Sequence, residues 1–449
     1  MGIKESGDSS RDMAKTAAVA VIGAGASGCM AAVSAAAFLT SFAGSAGGET
    51  GTGAGKDLSQ EVLLIDGNDR VGRKIYATGN GRCNITNLHM DKGCYHAGGG
   101  ADLSAFFARF PVEDHMRFWE KNGIFLHDRQ GYVYPRTDQA STIAEGFEKI
   151  LCKLRVKFIP GERVTKIRIA EGREGTVYRI RTERGTQYFA QKVILAGGGA
   201  AGPQYGCSGD MYGFARKFGH TVTTPLPALV RLTTEDPAVR AAAGVRCSAS
   251  VTITCEGTGI GTEQGEIQIN EKGISGIPVM QLSGGAVRAL EEGRKVEAVL
   301  DFVPDLEKAE WEEEKRRRME ESRGCMLSEF FLGLVNRKVL DMVLRRRGLQ
   351  AEKKAAKLSE RELLAIMEDL RAFPLAITGA GTFREAQVTS GGVPLRELDE
   401  NLQSLRTAGL YMAGELLDVD GLCGGYNLQW AATSGWIAGR SAAESSVRP

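Results

Sequence analysis

Three glycines near the start of the chain have the spacing of a phosphate-binding turn. Gly23, Gly25 and Gly28 follow an apolar stretch at 18–22. In a G-x-G-x-x-G turn between a strand and a helix, the first glycine permits the tight turn and the second lets a pyrophosphate approach the backbone. The third lets the helix pack against the strand. Free N–H groups and the helix dipole then face the phosphates. An ordinary strand–turn–helix remains the alternative on this pattern alone.

An acidic residue stands at the carboxyl end of the next predicted strand. Glu61–Ile65 is an apolar run typical of a buried parallel strand, and Asp66 follows it. In a dinucleotide-binding fold such a residue accepts hydrogen bonds from the adenosine ribose. The usual gap after the glycines is about 20 residues, whereas Asp66 follows Gly28 by 38. We attribute the excess to a loop at 44–56 that is rich in glycine, serine and threonine. The alternative is that Asp66 only begins a turn.

The segment Val71–Asn87 combines basic residues, glycines and amides without helical or strand periodicity. Arg73 and Lys74 can supply positive charge, while the glycines remove side-chain bulk. This combination suits close contact with an anionic ligand that carries a ring system. A loop of turn-forming residues is the alternative, and composition alone favours it.

A second polar segment, Gly414–Gln429, contains acidic residues separated by glycines. An oxygen-ligand metal site requires regularly spaced carboxylates, as in D-x-D-x-D-G. Leu416, Leu417 and Val419 interrupt any such spacing here. We therefore predict no metal site.

Composition restricts the class of protein that could carry these segments. The chain has 449 residues and a formal net charge of +1, and 25% of its residues are charged. Its length suits two or three domains. The balanced charge makes nucleic acid an unlikely partner and gives no attraction to an anionic membrane. The nine cysteines are odd in number and form no C-x-x-C, so we expect reduced thiols rather than disulfides or a metal site.

Two features near the amino terminus imitate targeting signals. Lys4, Arg11 and Lys15 before an alanine-rich stretch resemble a signal peptide, but the glycine turn within that stretch explains it better. Gly2 and Ser6 fit a myristoylation pattern that is short enough to arise by chance. Elsewhere no apolar segment is long enough to span a bilayer. We predict a soluble, cytoplasmic protein with no membrane partner.

The remaining pattern predicts elements that would position these segments. Glu162–Ile169 and Tyr178–Thr182 alternate in β fashion and lead into the strand Gln187–Leu195. Short β-type runs then dominate as far as residue 302. Leu306–Phe373 is charged, helical and nearly free of glycine. Within it, we interpret residues 311–323 as a solvated charged face.

A second glycine triplet follows the strand that ends at Leu195. Gly197, Gly199 and Gly202 have the spacing of another dinucleotide turn, but Pro203 comes next and no helical pattern begins there. We favour a turn by which the chain leaves the first domain. Without a second dinucleotide site, any further dinucleotide would have to bind transiently.

Several long motifs in order resemble a bacterial family of FAD-binding flavoproteins. That family includes bile-acid-operon reductases of steroid double bonds and proteins labelled aminoacetone oxidases. The resemblance covers residues 17–439, although the glycine-rich insertion and polar tail depart from it, and Asp66 stands where glutamate is expected. The motifs that carry it are GRKIYATGNGRCNITN at 72–87, VILAGGG at 193–199, GCSGDMYGFARKFGH at 206–220, GISGIPVMQLS at 273–283, EAQVTSGG at 385–392 and YMAGELLDVDGLCGGYNLQWAATSG at 411–435.

The resemblance implies an α/β fold with a Rossmann-like FAD-binding domain of the glutathione-reductase type, a β-rich domain and a helical domain. It also implies non-covalent FAD. The residues expected at the cofactor are Gly23, Gly25, Ala26, Ser27, Gly28, Asp66, Arg73, Lys74, Thr78, Gly79, Asn80, Gly81, Arg82, Cys83, Asn84, Val164 through its backbone at the adenine, Ala196, Gly197, Gly198, Gly414, Glu415, Asp420, Gly424, Gly425, Tyr426, Asn427 and Gln429.

The pattern along the chain, taken with this resemblance, predicts a discontinuous domain arrangement. We expect a flexible tail at 1–15 and an FAD-binding domain made of 16–202 and 395–449. A β-rich substrate domain would comprise 203–304 and 374–394, and a helical domain 305–373.

An enzyme with bound flavin leaves the hydride chemistry to the cofactor and the positioning of substrate to the protein. The resemblance implies reduction of a conjugated enone with NADH or NADPH, or oxidation of an aminoacetone-type amine. A flavoprotein of RNA modification is a further alternative. No catalytic residue is assigned: Tyr426, His220 and Cys423 are candidate proton donors, each open to a structural role. The small-molecule substrate, the direction of reaction, the electron donor and the oligomeric state stay undetermined.

Overall fold

The protein is described from a computed structural model that covers residues 16–46, 61–172, 175–321 and 324–447. The predicted tail at 1–15 lies outside these ranges, as does most of the glycine-rich loop predicted at 44–56. The chain groups into two compact units. The first comprises Met1–Pro225 and Val388–Pro449, and the second comprises Leu226–Gln387. The helices of the predicted helical domain thus belong to the same compact unit as the predicted β-rich domain. The boundaries of this unit lie between residues 225 and 226 and between residues 387 and 388.

Strands and helices alternate in the first part of the chain and again near its end. The strands are β1 (Thr16–Ile22), β2 (Val62–Ile65), β3 (Thr86–Asn87), β4 (Tyr95–Ala97), β5 (Leu126–Arg129), β6 (Tyr132–Pro135), β7 (Lys157–Ile159), β8 (Val164–Gly172), β9 (Gly175–Thr182), β10 (Gln187–Leu195), β11 (Thr223–Ala228), β12 (Leu232–Thr233), β13 (Arg246–Cys255), β14 (Thr258–Asn270), β15 (Gly273–Gly276), β16 (Val296–Asp301), β17 (Phe373–Ile377), β18 (Gly379–Ala380), β19 (Val388–Gly392), β20 (Leu410–Met412) and β21 (Val419–Gly421). The α-helices are α1 (Ala26–Ala46), α2 (Ser104–Arg109), α3 (Val112–Lys121), α4 (Ala140–Lys153), α5 (Asp210–Lys217), α6 (Ile277–Glu291), α7 (Lys308–Glu321), α8 (Leu327–Phe330), α9 (Arg337–Arg346), α10 (Glu360–Arg371) and α11 (Tyr426–Val447).

A seven-stranded sheet forms the centre of the first unit. Its order is β7-β2-β1-β10-β9-β8, with β20 also paired to β10. The pairs among β7, β2, β1, β10 and β20 are parallel, whereas β8, β9 and β10 form the predicted antiparallel meander. β1 and β2 are apolar almost throughout and nearly completely buried, as expected for strands covered on both faces. The carboxyl ends of the parallel strands therefore meet at one edge, as in a Rossmann fold.

α1 and α11 pack against each other through small residues. A Cβ added at Gly435 would lie 2.3 Å from the carbonyl oxygen of Ser27, and one added at Gly439 would lie 2.1 Å from that of Ala31. The two helices therefore touch backbone to backbone. α1 contains an 18-residue window, Ala26–Ala43, that is long and apolar enough to cross a membrane, but 61% of this window is buried. Packing in the core thus accounts for its apolar character.

A buried hydrogen-bond network ties α3 to α11. The short helix α2 and the helix α3 are separate because Pro111 stands between them. On α3, His115 Nδ1 lies 2.9 Å from Gln429 Oε1, and Thr86 Oγ1 donates to the same oxygen at 2.6 Å. Gln429 Nε2 donates to the carbonyl oxygen of Phe110 and to Thr433 Oγ1. Because an amide oxygen only accepts, His115 carries its proton on Nδ1.

The second unit contains an antiparallel sheet of order β17-β16-β13-β14-β15-β12-β18. Outside the charged stretch 306–373, its longest helix is α6, which begins after Gly276 and has Pro278 in its first turn. The sequence did not predict this helix, since the surrounding segment was read as β-rich. The interpretation of 311–323 as solvated was wrong at two positions: Trp311 is buried, and Arg318 is buried with Nη2 donating to the carbonyl oxygen of Leu332.

Replacement of His115 should weaken the acid sensitivity of folding. Burial lowers the pKa of His115 to about 4, partly opposed by Gln429, against about 6.5 in an unfolded chain. Between these values the unfolded state binds more protons, so the contribution is complete above about pH 6.5 and is lost as pH falls towards 4. The difference corresponds to a loss on the order of 3 kcal/mol. Urea denaturation at pH 7 and pH 5 should show a smaller loss for His115→Gln than for the wild type. Equal losses would contradict a neutral buried imidazole.

Candidate functional site

The first glycine turn lies at the carboxyl edge of the parallel sheet, directly before α1. Gly23 has φ +105°, and a Cβ added there would lie 2.4 Å from Gly197 Cα. At Gly28 an added Cβ would lie 1.8 Å from the carbonyl oxygen of Gly23. At Gly25, by contrast, it would meet no atom within 4 Å. The open room over Gly25, beside the first-turn N–H groups of α1 at Ala26 and Ser27, fits a pyrophosphate.

Asp66 reaches this turn despite the long gap in sequence. Its Oδ2 accepts from the N–H of Ala24 at 2.6 Å, and its Oδ1 accepts from the N–H of Asn68 at 2.7 Å. A carboxylate has about four lone-pair sites, so Asp66 retains the capacity to accept from a ribose hydroxyl. The N–H of Glu162 donates to the carbonyl oxygen of Asp66 at 2.9 Å, and this bond brings the start of β8, with Val164, towards the same end of the site.

The basic segment 71–87 takes its shape from several residues whose backbone has the left-handed conformation. Gly79, Asn80, Gly81 and Cys83 all have φ between 53° and 82°. Cys83 is buried, and burial raises the pKa of its thiol to about 12 against a partly opposing hydrogen bond with Thr78. It is therefore an uncharged packing residue. The stretch 79–82, including Arg82, is exposed, and among the described residues no contact joins Arg82 to the glycine turn.

Contacts with the last part of the chain do form just beyond that stretch. Asn87 Nδ2 donates to the carbonyl oxygen of Gly424 at 2.9 Å. A Cβ added at Gly425 would lie 2.4 Å from the carbonyl oxygen of Thr86 and 2.8 Å from Asn84 Oδ1. That Asn84 oxygen is buried and has no hydrogen-bond partner in the part of the chain that the structure describes. The two predicted cofactor segments therefore meet, through backbone held close by glycine.

Lys74 forms an ion pair with Glu415 across these segments. Lys74 Nζ lies 2.9 Å from Glu415 Oε2. Burial by itself lowers the pKa of Lys74, but Glu415 outweighs it, so the pKa lies above its usual value and the ammonium stays charged. The other oxygen, Glu415 Oε1, accepts from the N–H and hydroxyl of Thr389 at 3.1 and 2.8 Å. Protein groups thus engage both oxygens of Glu415 and fix its position between Lys74 and Thr389.

The hydrogen bonds of Thr389 also reach the second glycine triplet, at Gly197, Gly199 and Gly202. Thr389 Oγ1 accepts from the N–H groups of Ala200 and Ala201, both at 2.9 Å. The chain continues as a short 3-10 turn at Pro203–Tyr205, and α5 begins only at Asp210. The N–H groups of Ala200 and Ala201 are thus bonded within the protein, and no α-helix directly follows the triplet, as the sequence indicated.

Other predicted site residues support the site through protein contacts. Asn427 holds the loop before α11, because its Oδ1 accepts from the N–H of Gly421 and its Nδ2 donates to the carbonyl oxygens of Gly421 and Leu422. The side chain of Gln429 is likewise bonded to protein at both ends. The half-buried backbone at Gly424 and Gly425 leads directly into the amino end of α11.

Three further predicted positions pack around the glycine turn. The N–H of Ala196 donates to the carbonyl oxygen of Ile22 at 2.9 Å, which holds Gly197 against Gly23. Gly198 has φ +80°. Gly414 donates its N–H to Ser434 Oγ at 2.9 Å, and a Cβ there would lie 2.4 Å from Ser27 Oγ. Arg73 is exposed, with Nη1 3.1 Å from Asn68 Oδ1.

The structure does not favour His220 as a proton donor. Its Nδ1 lies 2.9 Å from Glu397 Oε2 and its Nε2 lies 2.6 Å from Ser404 Oγ, with the ring fully buried. Burial lowers the pKa of His220 even though Glu397 opposes it. Both nitrogens are occupied, so His220 is a structural residue.

The hydroxyl of Tyr426 is also bound within the protein. It donates to the carbonyl oxygen of His89 at 2.9 Å, and burial raises its pKa. Cys423 is half-buried, and burial raises the pKa of its thiol as well. Neither residue is poised to release a proton near neutral pH.

Four residues of this region escaped the sequence interpretation as site residues. His96 pairs with Asp420, and Thr389 supports Glu415. Tyr212 and Asp418 are buried close by, and Asp418 Oδ1 has no hydrogen-bond partner within the described ranges. All of these residues except His96 lie within the motifs that carry the family resemblance, and that position was the sign in the sequence that they could belong to the site. No cluster of three or more potential metal ligands occurs in the described residues.

Two glycine substitutions should separate folding from cofactor binding. Gly25→Ala places a methyl group in open room, so we expect the unfolding free energy of the apo protein to change by less than about 0.5 kcal/mol. The same methyl obstructs the pyrophosphate and should weaken FAD binding at least tenfold in a fluorescence titration. Gly28→Ala meets backbone and should destabilise the apo protein by about 1–3 kcal/mol. Wild-type FAD affinity in Gly25→Ala would contradict this placement.

Comparison with known proteins supports the predicted relationship. The sequence profile of the HI0933-like protein Rossmann domain matches residues 42–441. The chain is 35% identical to a 3-dehydro-bile acid delta(4,6)-reductase of Clostridium scindens, over 95% of this chain and 99% of that protein. It is 28% identical to a ribosomal RNA dihydrouridine synthase of Escherichia coli (93% and 95% covered) and 26% identical to that of Haemophilus influenzae (86% and 93% covered). The predicted family and Rossmann-like fold are confirmed: the chain belongs to the HI0933-like Rossmann family.

Proposed function

We propose that this chain is an FAD-dependent oxidoreductase that reduces a carbon–carbon double bond conjugated to a carbonyl group, with NADH or NADPH as the electron donor. The observation that carries the proposal is the likeness to a named reductase along almost the whole chain. The substrate named there has a keto group at position 3 and double bonds at positions 4 and 6, which is a conjugated dienone. A small steroid-like enone is therefore our first candidate substrate.

The other relatives act on a substrate with the same reacting group. Dihydrouridine arises from uridine by saturation of the C5–C6 bond, which is conjugated to the C4 carbonyl. The named products of all three relatives thus follow from addition of two hydrogens to an α,β-unsaturated carbonyl. This common chemistry makes reduction of uridine in RNA the second candidate function. The near-neutral net charge of +1 gives it less support than the steroid-like substrate.

The residues of the site fit FAD. The turn at 23–28 would hold the pyrophosphate, and Asp66 would accept from the ribose. Bound FAD would supply hydride transfer. The amino end of α11 and the charged Lys74 would stabilise negative charge in this part of the site. Asn427 and Asn87 fix the loop before α11, so these groups are held in place before a substrate arrives.

The first test of the proposal is the flavin itself. Purified protein should be yellow and should release FAD on denaturation. After anaerobic photoreduction, a Δ4-3-ketosteroid should reoxidise the flavin, whereas the matched saturated 3-ketosteroid should not. Folded, colourless protein that binds no added FAD would contradict the cofactor assignment. Reoxidation by neither compound would contradict a steroid-like enone as the substrate.

The alternatives are separated with the same sample. A uridine-containing ribosomal RNA fragment that reoxidises the flavin when the steroid does not would favour RNA modification, and its binding should weaken steeply with salt. Aminoacetone that reduces the oxidised flavin would favour amine oxidation. The rates of flavin bleaching with NADH and NADPH would identify the electron donor.

A further inference from the structure

A histidine and an aspartate face each other on a small two-stranded ribbon. β4 and β21 are antiparallel, and His96 and Asp420 are direct cross-strand partners. Side chains at opposed positions lie on the same face of a ribbon, and His96 Nδ1 is 3.1 Å from Asp420 Oδ1. The side chain of Asp420 is 10% exposed and that of His96 is 37% exposed. The imidazole is therefore anchored at one nitrogen while its other edge is accessible.

The anchoring defines which nitrogen can exchange a proton. A carboxylate accepts hydrogen bonds and does not donate them, so the Nδ1 of His96 carries hydrogen. Nε2 is then the nitrogen that can receive and release a proton. A carboxylate that orients an imidazole and stabilises its charged form is the arrangement used in general acid–base catalysis.

The ribbon is joined to the segment that opens α11. The N–H of Leu422 donates to the carbonyl oxygen of Cys94 at 2.9 Å. The hydroxyl of Tyr95 donates to the carbonyl oxygen of Tyr426 at 2.8 Å. The two residues that precede His96 in the chain, Cys94 and Tyr95, are thus hydrogen bonded to the loop before α11 and to its first residue. We propose that this loop and helix end contact the flavin.

The same face carries one more carboxylate. Asp418 precedes β21 by one residue and is buried, with one oxygen unpaired among the described residues. A Cβ added at Gly98 would lie 1.9 Å from Asp418 Oδ2, so the absence of a side chain at Gly98 makes room for this carboxylate. Asp418 and Asp420 therefore place two carboxylates on β21 and the residue before it, and Asp420 is the one that contacts His96.

We propose that His96 is the proton donor of the proposed enone reduction and that Asp420 is its positioning residue. This inference rests on the proposed function. Bound reduced FAD would supply hydride to the β-carbon of the enone and be oxidised, and the π electrons would shift towards the α-carbon and carbonyl oxygen, so that the protein has to supply the matching proton. The proton on His96 Nε2 then forms the C–H bond at the α-carbon as the N–H bond breaks. The neutral imidazole keeps Nδ1–H on Asp420 and regains a proton from solvent.

The decisive variant is His96→Gln in the FAD-loaded enzyme. Reoxidation of photoreduced flavin by a Δ4-3-ketosteroid should slow by about 10²- to 10⁴-fold, the usual contribution of a general acid. Reoxidation by ferricyanide should keep its wild-type rate, since it forms no C–H bond. Asp420→Asn should slow the steroid reaction by a smaller factor, and the double variant should be no slower than His96→Gln, because the two residues act as a unit.

The chain offers a matched control in a second histidine–aspartate pair. His127 Nε2 lies 3.0 Å from Asp138 Oδ1, with side chains 25% and 31% exposed. His127→Gln removes a similar contact outside the proposed machinery and should react with steroid and ferricyanide at wild-type rates. Equal slowing in His127→Gln and His96→Gln would mean that loss of any such pair disturbs the protein, and would overturn the specific role of His96.

A measurement on the apo protein is independent of turnover. In ¹⁵N-detected spectra, neutral His96 should carry its proton on Nδ1 in the wild type and should lose this preference in Asp420→Asn. A wild-type tautomer with the proton on Nε2 would overturn the proposed orientation. If wild-type flavin reacts with the steroid and His96→Gln reacts equally fast, the proton donor is elsewhere and the proposed function stands. If wild-type flavin does not react with the enone, the proposed function itself fails.

Discussion

The first turn of α1 depends on contact between backbones. Gly23 lies against Gly197, Gly28 against the carbonyl oxygen of Gly23, and Gly435 against the carbonyl oxygen of Ser27. A turn that presents its N–H groups to a phosphate must keep its outer side open. The turn is then held only by protein on the side away from the ligand, where other backbone atoms lie too close to leave room for a Cβ. The position of the turn is therefore fixed by three glycines that need not contact a ligand.

This constraint explains why both ends of the chain are needed for one site. The turn belongs to the first strand–helix unit, but its supports come from the end of β10 and from α11. The second unit is inserted between Pro225 and Val388, after which β20 pairs in parallel with β10. β20 thus joins the sheet directly before α11 packs on α1 in the chain order, so the site combines residues from both ends of the chain.

Much of the site's architecture was accessible from sequence, because it follows from residue type and order. Apolar runs predicted β1, β2 and β10, and Asp66 falls beside the glycine turn although its spacing is unusual. The hydrogen-bond partners of the polar side chains could not be predicted from the sequence in the same way. Glu415, Asn427 and Gln429 form hydrogen bonds with other protein groups, and residue type alone does not identify these partners. Residue type suggested contact with a cofactor, which stays a prediction, whereas the contacts with protein are visible only in the structure.

The features that sequence reasoning missed share a physical cause. Arg318 is buried because backbone carbonyl groups of a neighbouring segment satisfy it, and no periodicity within its own helix reveals that. His96 and Asp420 are separated by 324 positions and meet only because β4 and β21 pair in one register. A shift of that register by one residue would turn the two side chains to opposite faces. The proposed acid is thus specified by strand pairing, and the tight loop that Asn427 holds next to β21 helps to fix that pairing.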